Sequence, residues 1–465
     1  MVRLFRHYVP RFILVIGALE GALIFGAFYL GVAYQLSVER TFGSVIGSHN
    51  WQQAGLCTLI LIAMFASMGL YERGLRDQLP GIWLRVALGF SGGLLLMLGL
   101  MAIQPGVIIS DNSIFAALAI SASGVLLIRT VFYRFAESSK FKRRIMVLGA
   151  SGLAEDLERL RRRSDWQGHL LVGYLPSFEE EHRVRPSKVL LGKGTLLETV
   201  NHYNIDEIVV ATRELGEFFP VAELLDCKMS GIEVEDVSTF LERMTGKMKL
   251  EALSPSTMIF ADGFVQALHK GLVHRGFDVF VSVVFLLLIF PFMVMTAAAI
   301  FLESGGRGPV LYKQFRIGRH GRRFEILKFR SMQVDAEKDG KAVWATCNDA
   351  RVTRVGAFIR KTRIDELPQL LNVLKGEMSF VGPRPERPEF VEQLSNKIPY
   401  YDLRHTVNPG LTGWAQIRYP YGSSEEDAKE KLQYDLYYVK NYSLFLDLTI
   451  LLQTAQVVLW GKGAK

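Results

Sequence analysis

Cysteine is scarce in this 465-residue chain: Cys57, Cys227 and Cys347 lie far apart and form no Cys-x-x-Cys pair. That argues against a disulfide scaffold or a zinc cluster and points to a reducing compartment for the chemistry. Charge is sparse too. Only 22% of residues are charged, against 49% hydrophobic, which excludes a disordered or linker-dominated chain. There is no internal repeat and no low-complexity tract. No small-residue cleavage site follows the first apolar run, so that run reads as an anchor rather than a signal peptide. The charge that is present leans positive, with 54 Lys and Arg against 46 Asp and Glu. Such an excess suits nucleic acid, an anionic membrane surface or phosphorylated substrates.

Four long apolar runs come first, at 12–33, 54–70, 82–103 and 114–133. Each is near the ~20 residues that cross a ~30 Å hydrocarbon core, although the second is short and the first carries Glu20. Basic residues cluster in the N-terminal tail (Arg3, Arg6, Arg11), the second connection (Arg73, Arg76, Arg85) and the exit (Arg134, Lys140, Lys142, Arg143, Arg144). The other two connections hold only Arg40. Both ends of a four-helix transmembrane unit, 1–140, are therefore expected on the cytoplasmic side of the membrane.

A soluble stretch, 141–262, reads as a Rossmann-like α/β domain. Arg144-Ile-Met-Val-Leu-Gly-Ala-Ser-Gly152 is a buried strand and glycine turn, followed by a helical pattern from Leu153 to Leu160 and a second apolar strand, Ile208–Ala211. A dinucleotide fingerprint wants a third glycine where Glu155 stands, so a cofactor does not follow from the fold.

The remainder, 263–465, holds a fifth apolar run, Val279 to Leu302, with basic residues on both sides. Positive flanks at both ends contradict a simple crossing. Pro291 sits mid-run, where it removes a backbone donor and kinks a helix. A re-entrant helix over about 277–302, bent at Phe290-Pro291, satisfies both facts; an ordinary fifth span would put the C-terminal domain outside. The last segment, Ser443 to Trp460, carries Asp447, Gln453 and Gln456 and reads as an interfacial helix.

Arg307–Arg330 contains eight Lys or Arg and one acid, Glu325. It can hold lipid phosphates or a phosphorylated substrate, or merely grip anionic lipid. Lys328-Phe-Arg330 ends an alternating, strand-like run, and Arg suits planar phosphate recognition. Farther on, Arg360-Lys-Thr-Arg-Ile-Asp-Glu-Leu-Pro-Gln-Leu-Leu-Asn-Val-Leu374 predicts a helix capped by Asp365, with Leu367, Leu370, Leu371 and Leu374 on its apolar face. Arg360, Lys361 and Arg363 upstream are expected to keep a carboxylate ionised. An ionised Asp365 can attack phosphorus and Glu366 can hold Mg²⁺. Taken alone, the same pair is an ordinary cap and dipole partner. Two prolines around Arg384, in Gly382-Pro-Arg-Pro385, aim one guanidinium in a fixed direction.

Together, Lys328-Phe-Arg-Ser-Met332, Arg360–Leu371, Gly382-Pro-Arg-Pro385 and Pro409-Gly-Leu-Thr-Gly-Trp-Ala-Gln416 resemble the bacterial polyprenyl-phosphate sugar-1-phosphate transferases. The four helices plus α/β domain resemble the large, multi-domain monotopic members. Thr239-Phe-Leu-Glu-Arg243, Ser254-Pro-Ser256 and Phe260-Ala-Asp-Gly-Phe264 resemble the exosortase-associated branch. The resemblance implies an α/β-mixed monotopic catalytic domain at 263–465 and a transfer that begins exopolysaccharide or glycoconjugate synthesis. It implies Asp365 as nucleophile, forming a phospho-sugar–aspartate intermediate from a UDP-sugar and releasing UMP. Glu366 would hold Mg²⁺, while Lys328, Arg330, Arg360 and Arg384 would bind phosphates. Asp349, Arg351 and Asp435 would support the site, and Pro291 would bend the membrane helix. Where small members carry Ser before that proline, Phe290 stands here. Implied partners are the UDP-sugar, undecaprenyl phosphate, the membrane, a second copy of the chain and polysaccharide-assembly proteins, with no nucleic acid.

Two other readings compete. A membrane-anchored nucleotide-sugar dehydratase or epimerase needs a Tyr-x-x-x-Lys pair, and no tyrosine here has a lysine four residues on. A non-enzymatic scaffold for polysaccharide assembly would tolerate loss of Asp365, Glu366, Arg360 and Arg384, yet all are present.

Overall fold

A computed structural model describes residues 2–4, 7–9, 11–38, 50–71, 79–104, 112–136, 142–150, 152–159, 166, 168–176, 184–211, 219–253, 258, 263–264, 268–333, 351–420, 422 and 424–459. The chain divides into two compact units, one of Met1–Leu4 with Tyr8–Gly246, the other of Phe5–His7 with Lys247–Lys465.

The first unit opens with four helices, α1 (Arg11–Val38), α2 (Asn50–Ser67), α3 (Leu79–Ile103) and α4 (Asn112–Ala136). Only helices and closed barrels satisfy every backbone group within hydrocarbon, which is why uninterrupted apolar runs fold this way. Phe12–Gly31, Leu79–Ile103 and Ile114–Arg134 are long and apolar enough to cross a membrane, and Trp51–Ser67 is a shorter apolar helix. Glu20, the charge inside the first run, is fully buried against Arg129 at 2.5 Å and accepts a 2.6 Å bond from the Tyr71 hydroxyl. Pairing of this kind is what makes an ionisable group tolerable at that depth.

The same unit continues into a four-stranded parallel sheet: β1 (Arg143–Leu148), β2 (His169–Leu175), β3 (Glu207–Val210) and β4 (Glu233–Asp236), in the order β2-β1-β3-β4. β1 is central because Ile145–Leu148 are buried without alternation, the signature of a strand covered on both faces. Helices α5 (Gly152–Arg159), α6 (Leu196–His202) and α7 (Val221–Met229) make the crossovers, and α8 (Val237–Thr245) follows β4. Glu155 lies in the first turn of α5, the place where a dinucleotide fingerprint would carry glycine.

The second unit begins at Lys247, ahead of the 263 boundary read from the sequence. The difference has a packing cause. Met248 and Leu250 join the main core with Phe324, Leu370 and Leu436, and Lys247 pairs with Glu430 at 2.6 Å. The unit then runs α9 (Leu268–Glu303), β5 (Leu311–Ile317), β6 (Arg323–Phe329), α10 (Arg354–Lys361), α11 (Gln369–Lys375), β7 (Ser379–Val381), α12 (Pro388–Lys397), β8 (Gly410–Thr412), α13 (Trp414–Arg418), α14 (Glu425–Lys440) and α15 (Leu444–Leu459). β5 and β6 form an antiparallel hairpin, and β7 and β8 pair in parallel.

α9 carries Pro291 within it, and Gly271–Glu303 is long and apolar enough to cross a membrane. Both ends of α9 are tied to the same unit. Near the start, Arg275 donates to the Val373 and Leu374 carbonyls at 2.5 Å, and Asp278 accepts from Ser379 Oγ and Phe380 N at 3.0 Å. At the end, Glu303 accepts from Val355 N at 3.1 Å. Between these anchors Leu287, Leu288, Phe290, Phe292 and Met295 stand exposed. On α15 the buried face is Leu446, Asp447, Ile450, Gln453 and Gln456. The polar residues of that helix therefore turn into the protein, where Asp447 meets His274 Nδ1 at 2.7 Å and the Tyr438 hydroxyl at 2.8 Å.

Candidate active site

The β5–β6 hairpin sets the first wall of the site. Alternation sends Tyr312, Gln314 and Arg316 to one face and leaves Leu311, Lys313 and Phe315 exposed on the other. Lys328 sits opposite Tyr312 in register and so shares the inner face. These residues line a cavity of about 410 Å³ with Arg330, Arg351, Arg360, Asp365, Arg384, Glu386, Arg387, Arg404, Gln416, Lys431 and Asp435. Nine of its lining residues are Lys or Arg and three are acidic, a balance that suits a ligand carrying several negative charges.

The second wall is a break between two helices. Thr353 caps α10 by accepting from Gly356 N, and α10 ends at Thr362. Arg363 then adopts a left-handed backbone, φ 60°, which costs a non-glycine residue about 1 kcal/mol. A single 3₁₀ turn, Ile364–Glu366, follows before α11 begins at Gln369. The expected Asp365 cap is thus corrected. Asp365 lies in a tight turn ahead of the helix, and no side chain caps α11. The buried face of α11 also differs from the leucine stripe: Gln369, Leu370, Asn372 and Val373 are buried, whereas Leu371 is exposed. Asn372 braces the two walls, donating to Glu325 O at 2.7 Å and accepting from Leu327 N at 3.0 Å.

The turn gives its two carboxylates opposite environments. Glu366 Oε1 accepts from Lys328 Nζ and from Arg384 Nη2, both at 3.1 Å. Burial works against its charge, but Lys328, Arg384 and Arg363 outweigh burial and hold the carboxyl far below the usual range. Asp365 is pushed up instead, first by burial and then by Glu366, against the pull of Lys328, Arg363 and Arg360. Its Oδ1 is buried without a hydrogen-bond partner, and its side chain lines the cavity. Arg363 thus helps keep Glu366 ionised, as expected of the upstream cations, but at Asp365 their pull does not outweigh burial and Glu366. Lys328 itself is lowered by burial, with Glu366 opposing that shift.

The third wall comes from two glycine-rich turns whose backbones touch. A Cβ on Gly382 would lie 2.3 Å from Asn408 O, and one on Gly410 would lie 2.0 Å from Gly382 N. Only glycine permits this approach of β7 to β8, and it brings Pro383-Arg384-Pro385 beside Trp414–Gln416. Deeper still, Asp435 on α14 pairs with Arg404 at 2.8 Å, and both are buried. Burial pushes the Asp435 carboxyl up to about 6 although Arg404 pulls it down.

Lys328, Arg330, Arg360, Arg384, Arg351, Asp365 and Asp435 all line the one cavity, with Glu366 ion-paired at its edge. Arg330 also donates to Arg307 O at 3.0 Å. Asp349 lies outside the described residues. Pro291 is in α9 and is not among the residues lining the cavity. Sequence reasoning missed Arg387, Arg404 and Lys431, which carry no local signal and are brought in by packing of distant elements. Arg316 lay within the basic stretch Arg307–Arg330 and Gln416 within the Pro409–Gln416 motif, but neither was singled out for the site; the β5 alternation could have placed Arg316.

A site of this kind can bind a diphosphate through its cations and offer one buried carboxylate to it. Comparison with known proteins agrees. The model of the bacterial sugar transferase family matches residues 269–461. The UDP-glucose:undecaprenyl-phosphate glucose-1-phosphate transferase of Klebsiella pneumoniae is 31% identical over 438 residues, covering 92% of this chain and 91% of that protein. A protein of the same description from Xanthomonas campestris pv. campestris is 29% identical over 452 residues, covering 93% and 91%. The UDP-N-acetylgalactosamine-undecaprenyl-phosphate N-acetylgalactosaminephosphotransferase of Aeromonas hydrophila is 42% identical over 242 residues, 52% of this chain and just over half, 56%, of that protein's length.

Proposed function

The chain belongs to the bacterial sugar transferase family, the polyprenyl-phosphate sugar-1-phosphate transferases, and from that premise we propose that it moves a sugar-1-phosphate from a UDP-sugar to undecaprenyl phosphate. The step would begin an exopolysaccharide or glycoconjugate. The observation that carries this reading is Asp365 itself, which lines a cation-rich cavity and whose Oδ1 is buried without a hydrogen-bond partner. A buried acceptor without a partner calls for a ligand to complete it.

In the proposed reaction an Asp365 oxygen attacks the sugar-bearing phosphorus. A carboxylate–phosphorus bond forms, the bridging P–O bond of the diphosphate breaks, and UMP leaves with the bridging oxygen. A phosphate oxygen of undecaprenyl phosphate then attacks the same phosphorus, and the bond to Asp365 breaks to restore the carboxylate. Lys328 and Arg384 neutralise Glu366, so Asp365 can ionise beside it, and Arg360 and Arg384 offer donors to phosphate oxygens. Two adjoining carboxylates, one with an unpartnered oxygen, fit a Mg²⁺ ion of the kind held mostly by substrate phosphates. Both cation contacts of Glu366 fall on Oε1, so its other oxygen would be the one to hold the ion. When bound, Mg²⁺ would offset charge building on the diphosphate.

We also place α9 as a helix that dips into one leaflet and returns. A straight helix of 36 residues would reach about 54 Å, well beyond a ~30 Å core. Its two ends are instead bonded to one and the same unit. With the basic N-terminal tail and helix connections on the cytoplasmic side, the catalytic unit would face cytoplasmic nucleotide sugars. The relatives named above are described as acting on UDP-glucose and UDP-N-acetylgalactosamine, and a donor panel identifies the sugar used here.

The test is mass spectrometry of the protein after exposure to the UDP-sugar that supports turnover. Wild type should carry a phospho-sugar adduct on Asp365, and Asp365→Asn should carry none while folding normally. A normal adduct in Asp365→Asn would remove Asp365 from the role of nucleophile.

A further inference from the structure

Four consecutive backbone carbonyls, from Pro383 to Glu386, are held by three segments of the second unit, with β5 holding the last two. Pro383 O accepts from Gly410 N at 3.0 Å, and Glu386 O accepts from Ile317 N at 3.0 Å. The two between them are gripped by side chains. Arg404 Nη2 donates to Arg384 O at 3.0 Å, and Arg316 Nη1 donates to Pro385 O at 3.1 Å. Two prolines already fix φ on either side of Arg384. The backbone that carries this guanidinium therefore has almost no freedom left.

The two gripping arginines are themselves locked. Arg404 is only 6% exposed; its Nη1 donates to the Tyr401 hydroxyl at 2.7 Å, and its Nη2 also meets Asp435 at 2.8 Å. Arg316 Nη2 donates to Gln314 Oε1 at 2.7 Å, and its guanidinium lies 3.8 Å from Glu386. Arg384 in turn reaches Glu366 at 3.1 Å, beside the proposed nucleophile. A connected path thus runs from Asp435 through Arg404 and the Arg384 carbonyl to the Arg384 guanidinium and Glu366. Carrying two cations to backbone carbonyls in a crowded basic cavity is a costly way to hold a turn, since burial alone disfavours their charge. The arrangement makes sense if the placement of Arg384 is what it secures.

We propose that Arg316 and Arg404 are positioning residues that clamp the Pro383–Glu386 turn from both sides and so aim Arg384 at the diphosphate and at Glu366. This rests on the reaction proposed above, and it adds two residues that act through another rather than on the substrate. A misplacement of about 1 Å in such a group can cost on the order of 100-fold in rate. Losing a clamp should therefore resemble losing Arg384, and losing both should add little.

The experiment is a double-mutant cycle on the full-length protein in nanodiscs, reading single-turnover UMP release from the turnover-competent UDP-sugar together with the melting temperature. Arg384→Ala, Arg404→Lys and Arg316→Lys are measured alone, then each lysine variant is combined with Arg384→Ala. Each single variant should slow release by about tenfold to 100-fold. In the Arg384→Ala background each lysine substitution should change the rate by less than about threefold. Multiplicative losses in the doubles, or single lysine variants at the wild-type rate, would overturn the clamp. If Arg404→Lys does not fold, Arg316→Lys decides the matter alone, with its melting temperature reporting that it folds. Wild type that releases no UMP from any donor would instead sink the parent reaction and the clamp with it. Active wild type, silent Asp365→Asn and multiplicative doubles would sink the clamp alone.

Discussion

Asp365 and Glu366 are neighbours in the chain with opposite tasks, and the division comes from what each one touches. Glu366 takes the contacts of Lys328 and Arg384 and stays ionised, while Asp365 lines the cavity with one oxygen buried and unpartnered. Because burial and then Glu366 push the Asp365 carboxyl above its ordinary range, the reactive carboxylate is lost on acidification at a higher pH than an exposed aspartate would show. Single-turnover UMP release should therefore fall through an acid limb above about pH 4. Glu366→Gln removes the neighbouring negative charge, so it should move that limb to lower pH even as it lowers the maximal rate. A limb that stays in place or moves upward would mean another group sets it. Arg404 makes a separate prediction. Arg404→Ala strands the buried Asp435 without its partner and should cost about 3–5 kcal/mol in stability, read as a lower midpoint in a denaturation series. That cost is why the conservative lysine exchange is the informative one for catalysis. The sequence singled out Asp365 and Glu366 from Arg360–Leu374 and its resemblance, and the structure puts Asp365 on the cavity and Glu366 against two of its cations. Which carboxylate the cations serve was not legible in the sequence, because Lys328 and Arg384 reach Glu366 only once β6 and the Pro-Arg-Pro turn have folded around it.

Among the elements, α9 and α15 show how a membrane-facing catalytic unit is held together. Asp278 on α9 pins β7 through Ser379 Oγ and Phe380 N. Asp278→Ala leaves that buried N–H without an acceptor and should cost about 1–3 kcal/mol, measured by thermal unfolding in detergent; an unchanged midpoint would show that the anchor contributes nothing. At the other end Glu303 caps α10 through Val355 N, adding a carboxylate where the helix dipole favours one. Pro291 was expected to bend the fifth run, and it lies inside the continuous helix α9; Asp447, Gln453 and Gln456 were read as a mark against a simple span. What the pattern could not reveal was where those polar residues point. On α15 they face Tyr438, His274 and the core, so polarity there reports packing against the unit. Likewise the leucine stripe of 367–374 misjudged α11. The left-handed Arg363 and the 3₁₀ turn after it delay the helix to Gln369, so Leu367 falls outside it and the stripe is not carried by one helix.

At the scale of the whole molecule, each unit keeps its own core, and two strands of the parallel β2-β1-β3-β4 sheet, β1 and β3, were visible as apolar runs in the sequence, whereas β4, Glu-Val-Glu-Asp, has no such run. The unit boundary was harder to see, because Met248 and Leu250 sit in a stretch with no strong periodicity and reveal themselves only by packing beneath Leu370 and Leu436. The charge distribution makes a topological prediction. Reporters at residue 1 and at residue 465 should both be reached by a membrane-impermeant reagent only from the cytoplasmic side. Pro291→Ala, which restores a backbone donor mid-helix, should move a fraction of the C-terminal reporters across or abolish activity. If it changes neither, the proline is not what turns the helix back. The central claim, that the cation-lined cavity around Asp365 carries out phospho-sugar transfer, is tested most directly by the nucleotide released. Purified protein is incubated with Mg²⁺, undecaprenyl phosphate and a panel of UDP-sugars, and the nucleotide product is identified. Release of UMP in proportion to lipid-linked sugar diphosphate is the predicted result; release of UDP, the mark of an ordinary glycosyl transfer, would contradict it.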